Sequence, residues 1–223
     1  MPLPSKGRDP DFTLVRACQL AGDDGFESSF EELYVRYRDR AYSIAFRMTG
    51  ASSDALDVVQ DAFSLLFRKI GGFRFDSLFS TWMFRIVVNC SIDHQRRLRG
   101  RAGREMASLD SPQSIREPSD PAASPVEKAQ SSELGDHIHQ SLQRLSPKLR
   151  AVMVLRYLES LSYEELSQTL EVSMGTIKSR LARAHIALEK ILAGTMAPFG
   201  YPDLDDLSDR DNRGSNRSGE GVA

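Results

Sequence analysis

The chain has 223 residues, 40% of them hydrophobic and 27% charged, which is the composition of a globular protein with one medium domain or two small ones. Its net charge of −2 and pI near 6.1 argue against a uniformly basic nucleic-acid binder. Neither cysteine, Cys18 or Cys90, has a CxxC-type partner and the four histidines are scattered, so we expect no disulfide framework, metal or cofactor. The chain lacks both a signal peptide and an apolar run of about 20 residues, so we expect a cytoplasmic protein with no membrane insertion.

Hydrophobic periodicity predicts an all-helical N-terminal half. Residues 1–25 form an N-terminal segment, partly disordered, with one short helix over 11–20 that ends before Gly22 and Gly25. The i, i+3, i+4 pattern then predicts helices over 29–49, 53–70 and 80–97. Gly50 ends the first of these and Ser53 caps the second. We take 26–104 as one helical domain.

The helix over 53–70 has two different faces. Its expected inward seam consists of Leu56, Val59, Phe63, Leu66 and Ile70. The opposite face carries Asp57, Gln60, Asp61, Ser64 and Arg68. From the residues alone, this polar face is a solvated surface.

Aromatic side chains surround the loop that follows Gly71 and Gly72. They are Phe73, Phe75, Phe79, Trp82 and Phe84, and the next helix leads into the basic residues Arg96, Arg97, Arg99, Arg101 and Arg104. Core packing is expected for Phe79 and Trp82. Stacking on single-stranded bases, at about 1–3 kcal/mol per base, is an alternative that the residues leave open for this group.

A linker separates this half from the C-terminal half. Residues 105–127 contain four prolines among serines and acidic residues and show no apolar period. A flexible segment of this length spans roughly 25–30 Å on average and allows two small domains to contact separate sites.

Helix caps define a helix-turn-helix in the domain over 128–193. A leading helix over 126–145 places Leu134, Ile138, Leu142 and Leu145 inward. Ser146 and Pro147 then begin a helix that runs to about 158, a capping box begins the next over 162–170, and a third runs over 174–192. The capping box pairs Ser162 with Glu165. Glu171 and Val172 form the corner between the last two helices, and Ser173 caps the third.

The last helix has the character of a DNA-recognition helix. Its apolar stripe consists of Ile177, Leu181, Ala184 and Leu188, and its outer face of Gly175, Ser179, Ala182 and Arg183. Lys178 and Arg180 lie on the flanks. Small polar groups in front and cations at the sides suit a helix in the major groove, between two rows of phosphates.

Two sets of motifs resemble one family. LSYEEL over 161–166 and GTIKSRLARA over 175–184 are similar to the promoter-reading domain of bacterial sigma factors of the extracytoplasmic-function group. DVVQDAF over 57–63, FSTWMFRI over 79–86, and then Asn89, Asp93, Arg96 and Arg97 resemble the region-two segments of the same family. The resemblance covers about two-thirds of the chain and implies an all-α fold of two helical domains, region two and region four, joined by the linker.

The resemblance also implies partners and sites. Core RNA polymerase would be bound through its β′ coiled coil and β flap, with the β′ contact made by Asp57, Gln60 and Asp61. The minus-ten promoter element would meet Phe73, Arg74, Phe75, Arg85, Asn89, Arg96 and Arg97. The minus-thirty-five element would meet Thr176, Lys178, Ser179, Arg180, Ala182 and Arg183. An anti-sigma factor is a further expected partner.

The tail over 194–223 departs from the family pattern. It is acidic and we expect it to be disordered. A sharper hypothesis is that its acidic part competes with DNA for Lys178, Arg180 and Arg183. A truncation at Gly194 would then strengthen DNA binding by the C-terminal domain.

Two classes of function compete with a sigma factor. The first is a helix-turn-helix regulator that binds duplex DNA alone and never joins polymerase. The second, an enzyme, finds no glycine-rich phosphate loop, metal-ligand cluster or nucleophile motif in the sequence. Dependence of polymerase binding on Asp61 would separate the sigma factor from the regulator.

Overall fold

Helices make up all the regular structure in the described part of the chain. The computed structural model describes residues 9–20, 23–106 and 127–196, with side chains over 9–20, 25–100 and 135–193. The helices are α1 (Phe12–Leu20), α2 (Asp23–Thr49), α3 (Ser52–Lys69), α4 (Phe79–Met106), α5 (Glu127–Arg144), α6 (Pro147–Tyr157), α7 (Tyr163–Leu170) and α8 (Met174–Met196), with a 3₁₀ turn at Ile70–Gly72. This confirms the all-α class. The linker and the acidic tail, on which two predictions rest, lie mainly outside the described residues.

The N-terminal domain is built from α1 to α4 around one apolar core. Leu33, Ile44, Leu66, Phe79 and Phe84 are among its fully buried side chains. At such burial each contributes on the order of 1.5–3 kcal/mol. The core therefore holds α2, α3 and α4 together as the frame on which the exposed side chains are placed.

A buried carboxylate fastens the start of the chain to this core. Asp11 is 1% exposed and accepts hydrogen bonds from Arg36 at 2.6 Å and from the hydroxyl of Tyr37. Asp9 accepts from the backbone N–H of Phe79 at 2.7 Å. Burial, together with the bond to Asp11, raises the pKa of Tyr37, so the phenol stays a donor at neutral pH.

The helices α2 and α4 are much longer than predicted. The second begins at Asp23 instead of 29 and includes Gly25, because Phe26 packs its ring against Phe30 at 5.6 Å and Phe67 at 4.9 Å. That packing outweighs the roughly 1 kcal/mol that glycine costs inside a helix. The fourth continues to Met106 instead of 97. Arg97, near its end, pairs with a carboxylate of another helix at 2.8 Å and so reduces the expected self-repulsion.

Two further predictions for α3 were wrong. Ala51 rather than Ser53 occupies the N-cap, with no side-chain hydrogen bond. Leu56 was predicted to lie in the inward seam but is 60% exposed, whereas Val58 and Ala62 are buried. The buried stripe of this helix is thus rotated from the predicted one.

The predicted caps in the C-terminal domain are confirmed. Ser162 accepts from the backbone N–H of Glu165 at 3.2 Å, and the Glu165 carboxylate accepts from that of Ser162 at 2.8 Å. Glu171 ends α7 in the left-handed conformation at φ 52°, and Ser173 accepts from the N–H of Thr176 at 3.2 Å to begin α8. The helix-turn-helix is therefore present at the predicted residues.

The leading helix α5 is only partly as expected. Leu142 and Leu145 are buried, but Ile138 is 38% exposed and was wrongly placed inward. It lies at the edge of a groove between α5 and α8, where no described side chain covers it fully. Leu134 falls outside the residues whose side chains are described.

The two domains contact each other at the end of α2. Arg150 is only 2% exposed, and its guanidinium donates to the carbonyl oxygens of Met48, Leu142, Gln143 and Leu145. Burial lowers its pKa to about 10, so the side chain remains charged at neutral pH. One cation of the C-terminal domain thus satisfies backbone acceptors of both domains.

Further contacts surround this cation. The amide of Gln143 donates to the carbonyl of Arg47 at 2.9 Å, and the ring of His139 stacks on Phe46 with centroids 4.5 Å apart.

No helix within the described ranges has both the length and the apolar character that a membrane span requires.

Candidate polymerase and nucleic-acid interfaces

The polar face of α3 is exposed as predicted. Asp57, Gln60 and Asp61 all lie on the outside of the domain. Beside them is a groove of about 680 Å³ whose lining includes the exposed apolar residues Leu56 and Phe67. An uncovered apolar groove rimmed by polar groups marks a protein contact site. The sequence reasoning missed these two apolar residues, although an apolar residue out of phase with the buried stripe is the signal that could have found them.

A small carboxylate and histidine cluster lies at the start of the same face. The potential ligand atoms of Asp54, Asp57 and His94 lie within 4.8 Å of one another. These are the residues in the described part of the chain that could meet one cation. His94 is 9% exposed and its Nε2 lies 3.4 Å from a carboxylate oxygen of Asp54. This contact connects α3 to α4.

Aromatic residues of the predicted minus-ten loop divide into core and surface. Phe75, Phe79 and Phe84 are buried. For these three residues the structure therefore favours core packing over stacking on bases. Phe73 and Trp82 are half-buried and stack with centroids 4.9 Å apart and planes 27° from parallel. Of the aromatic residues in this region, these two are accessible to a base.

The loop itself is fixed from α1. The side-chain amide of Gln19 donates to the carbonyl oxygens of Ile70 at 3.0 Å and Phe73 at 2.8 Å. Phe75, at φ 58°, turns its ring inward onto Phe12 at 4.8 Å. Gln19 was not predicted, because a single glutamine in an amphipathic helix gives no pattern. Phe75 was predicted to contact DNA. In this structure its ring is buried and packs against Phe12, so it supports the loop from the core side.

A cavity opens between this loop and α4. It has a volume of about 330 Å³, and Phe73, Arg74, Trp82 and Arg85 are among its lining residues. Arg74 is exposed at its edge. Stacking surfaces beside two guanidinium groups are what an unstacked base and its phosphate require. Residues predicted to meet the minus-ten element thus line one cavity, and their contact with a base stays a prediction.

The remaining predicted minus-ten residues follow α4. Asn89, Arg96 and Arg97 are exposed, but Arg97 donates to the carboxylate of Asp61 at 2.8 Å. Arg85 is placed differently, because its side chain is only 25% exposed and contacts the C-terminal domain. Arg96 also pairs with Asp93 at 3.0 Å, so three of the predicted phosphate-binding cations have acidic partners within the described part of the chain.

The recognition helix α8 presents the predicted surface. Ile177, Leu181 and Ala184 are buried. The predicted DNA-reading residues Lys178, Ser179, Ala182 and Arg183 are exposed, and Thr176 and Arg180 are half-buried. The Arg183 guanidinium donates to the carbonyl of Ser179 at 3.2 Å, which leaves its remaining donors for a nucleic acid. An outer face with cations and one hydroxyl can read a major groove.

The two cysteines are not part of the candidate polymerase and nucleic-acid interfaces. Burial raises the pKa of the Cys18 thiol, and burial with nearby Asp61 raises that of Cys90 to about 11. Neither is therefore a reactive thiolate at neutral pH.

Comparison with known proteins places both domains. The family model "Sigma-70 region 2" matches residues 33–101 and "Sigma-70, region 4" matches residues 136–188. The ECF RNA polymerase sigma factor SigE of Mycolicibacterium smegmatis is 36% identical over 77% of this chain, which spans 65% of that protein's length. The RNA polymerase sigma-H factor of Pseudomonas aeruginosa is 33% identical over 83% of this chain and 95% of its own. SigW of Bacillus subtilis, also an ECF sigma factor, is 31% identical over 75% and 91%.

Solved structures support the fold. CnrH, in a complex with the cytosolic domain of CnrY, superimposes with a TM-score of 0.58 at 24% identity, over 82% of this chain and 97% of its own. The sigma factor RpoE of Bartonella quintana, in a complex with the anti-sigma factor NepR, gives 0.55 at 23% identity over 73% and 96%. At this identity the likeness concerns the fold. The family is decided by two findings. Family models match both domains in the right order, and two relatives above 30% identity are matched over more than nine-tenths of their own length. The chain belongs to the sigma-70 family and is a sigma factor of its extracytoplasmic-function (ECF) group.

Proposed function

We propose that this sigma factor joins core RNA polymerase through the outer face of α3. Asp57, Gln60 and Asp61 would contact the β′ coiled coil, while the C-terminal domain would meet the β flap. The supporting observation is that these three polar residues share one exposed face with an apolar groove that no described residue fills. The sigma factor directs promoter-specific transcription initiation and is not an enzyme.

The two DNA sites are assigned to separate domains. In the N-terminal domain, Phe73 and Trp82 would stack against an unstacked minus-ten base, with Arg74 at the cavity edge. Arg85, Asn89, Arg96 and Arg97 would hold the strand along α4, and Phe75 would support the loop. In the C-terminal domain, Lys178, Ser179, Ala182 and Arg183 would read the minus-thirty-five duplex, flanked by Thr176 and Arg180. This division uses stacking for the melted element and a major-groove helix for the duplex one.

An anti-sigma factor is a further proposed partner, and the cytoplasm is the proposed location, because transcription takes place there. CnrH was solved with a domain of CnrY, and RpoE with the anti-sigma factor NepR. The apolar grooves beside α3 and between α5 and α8 offer surfaces for such a partner. The acidic tail remains a candidate for a separate control.

The deciding experiment is transcription in vitro with purified core polymerase and a pool of random upstream sequences. We expect initiation to require the protein and to select one pair of spaced elements. A stand-alone regulator would neither direct initiation nor bind core polymerase in a pull-down. The match to region 2 over 33–101 disfavours that alternative, because a helix-turn-helix regulator needs only the C-terminal domain.

A further inference from the structure

Two carboxylates and one imidazole meet between α3 and α4. Asp54 and Asp57 are three residues apart on α3, so their side chains lie on one face of the helix. His94 of α4 lies against this face, and the potential ligand atoms of the three residues are within 4.8 Å of one another. The fold therefore brings together three side chains that come from two helices.

The Nε2 atom of His94 is buried without a hydrogen bond. The residue is 9% exposed, and in the described part of the chain no group donates to this nitrogen or accepts from it. A carboxylate oxygen of Asp54 lies 3.4 Å away but outside hydrogen-bond geometry. Most buried polar atoms in proteins have a partner, so this one requires an explanation. A bound cation would satisfy the lone pair of a neutral imidazole and both carboxylates at once.

The spacing of these atoms suits two ligands of one metal ion. Zn²⁺ binds a histidine nitrogen at about 2.0–2.1 Å and a carboxylate oxygen at about 2.0–2.2 Å, and its geometry is tetrahedral. Two such ligands are about 3.4 Å apart. The measured distance from Nε2 of His94 to the oxygen of Asp54 is 3.4 Å, whereas an N–H···O hydrogen bond is usually about 2.9 Å long.

The donor set defines the class of cation. Mg²⁺ and Ca²⁺ prefer oxygen ligands, whereas an imidazole favours Zn²⁺ and its transition-metal neighbours. Asp57 is exposed, so its carboxylate can adjust to complete the site, and a fourth position would be open to solvent. The sequence predicted no metal because its histidines are scattered. A site with one histidine and two carboxylates becomes visible only when α3 and α4 pack together.

We propose that Asp54, Asp57 and His94 bind one Zn²⁺ ion, which links the first turns of α3 to α4. The site lies within the N-terminal domain and does not depend on the proposed function. Its presence can therefore be measured without polymerase or DNA.

The first test titrates Zn²⁺ into the full chain by calorimetry, after the protein has been dialysed against a chelator. We expect one ion per chain in the parent protein. His94→Gln and Asp57→Asn each remove one ligand and should lower the affinity by at least about tenfold. Mg²⁺ in place of Zn²⁺ should not bind at this site. Circular dichroism verifies that the helices of His94→Gln are retained, and Asp57→Asn alters an exposed side chain.

Three control variants address binding elsewhere in the chain. His185→Gln removes an exposed histidine of α8, and Asp39→Asn removes a carboxylate of α2 that is 86% exposed. Cys90→Ala removes the thiol one turn before His94 on α4. All three should keep the parent affinity. Absence of Zn²⁺ binding in the parent chain, or equal affinity in the parent, His94→Gln and Asp57→Asn, would overturn the site.

Thermal unfolding gives a second readout. A ligand that binds only the folded chain stabilises it, so Zn²⁺ at about a hundredfold excess over its dissociation constant should raise the midpoint by about 5 °C or more. His94→Gln should show no such rise at the same concentration. An equal rise in both proteins would place the bound ion outside this cluster.

The site also bears on the polymerase contact, and this consequence rests on the proposed function. Asp57 is assigned to the β′ coiled coil, and a bound cation would occupy its carboxylate and offset the negative charge around it. Zn²⁺ should therefore lower the affinity of the parent chain for core polymerase severalfold and leave that of His94→Gln unchanged. If Zn²⁺ binds but core polymerase binds neither protein, the metal site stands and the proposed function fails. If Zn²⁺ binds and the affinity for core is unchanged, the effect on polymerase is refuted.

Discussion

Asp61 on α3 and Arg97 on α4 form an ion pair with 2.8 Å between carboxylate oxygen and guanidinium nitrogen. The two residues are assigned to different partners, Asp61 to polymerase and Arg97 to promoter DNA. Both side chains are about half exposed, so the pair contributes at most about 1 kcal/mol to folding. Its significance is therefore in binding, because engagement of Asp61 by polymerase would free the guanidinium for a phosphate.

The substitution Asp61→Lys should abolish core polymerase binding while the fold is retained. A lysine there faces Arg97 and presents the wrong charge to the partner, and like charges at an interface cost several kcal/mol. We expect the affinity for core to fall by more than about tenfold, which corresponds to 1.4 kcal/mol. Fluorescence polarisation with labelled protein measures this, and urea unfolding should show a change within about 1 kcal/mol.

Asp39→Lys is the matched control for that variant. Asp39 lies on α2, away from α3, and its side chain is 86% exposed. Its substitution by lysine makes the same change of charge. Equal loss of binding in both variants would attribute the effect to net charge and remove Asp61 from the proposed interface.

Local signals in the sequence predicted the recognition unit well. The capping box of Ser162 and Glu165, the corner at Glu171 and the cap at Ser173 each depend on residues within four positions of one another. The buried stripe of α8 follows from its own periodicity. Such features depend on residues within one helix or turn, so the local sequence is sufficient to predict them.

Contacts between helices were not predictable in the same way. Nothing in the periodicity of α6 indicates that Arg150 is buried, since the acceptors that satisfy it lie on other helices and in the other domain. Arg85 was assigned to DNA alone, because the end of α7 becomes its neighbour only in the folded chain. Leu56 was misplaced because α3 is partly apolar on both sides. These outcomes depend on tertiary partners.

Gly50→Ala should weaken both the N-terminal domain and its contact with α5. Gly50 has φ +93°, and an added Cβ would lie 2.9 Å from the Cδ of Gln143. The left-handed backbone alone costs an alanine about 1–2 kcal/mol. We expect urea unfolding to show at least this loss. Because Gln143→Ala also removes a hydrogen bond to Arg47, the loss caused by Gly50→Ala is measured again in the Gln143→Ala background. There it should be smaller by the steric part only, and no remaining loss would show that the backbone conformation is unimportant.

Acidification should destabilise the contact between the domains through His139. Burial lowers the pKa of this imidazole, and the charges of Arg47 and Arg150 lower it further, against the opposing effect of a hydrogen bond to the Gly50 carbonyl. The unfolded chain therefore takes up a proton at higher pH than the folded one. Stability is fully present above the ordinary histidine pKa and is lost as pH falls through the lower folded value. Protonation would also leave a buried Nδ1 donor without a partner.

The measurement compares unfolding and interdomain distance at about pH 7.5 and about pH 5.5, on either side of the ordinary histidine value. His139→Gln keeps a polar side chain at this position and cannot titrate, so its response to pH should be smaller than that of the parent chain. An identical response in both proteins would assign the pH dependence to the other histidines.

Arg183→Ala should weaken binding to the minus-thirty-five duplex without affecting the fold. Arg183 is exposed on the outer face of α8, and its guanidinium donates a 3.2 Å hydrogen bond to the Ser179 carbonyl. Loss of a contact to a base or phosphate costs about 1–3 kcal/mol, or roughly ten- to hundredfold in affinity. If the contact is to a phosphate, the slope of log affinity against log salt should also fall by about 1, whereas a base contact should reduce discrimination at one promoter position.

Lys190→Ala removes an exposed cation from the same helix near its end and controls for general charge. Equal losses in the two variants would mean that α8 binds DNA only through its overall charge and that Arg183 has no place in the reading face.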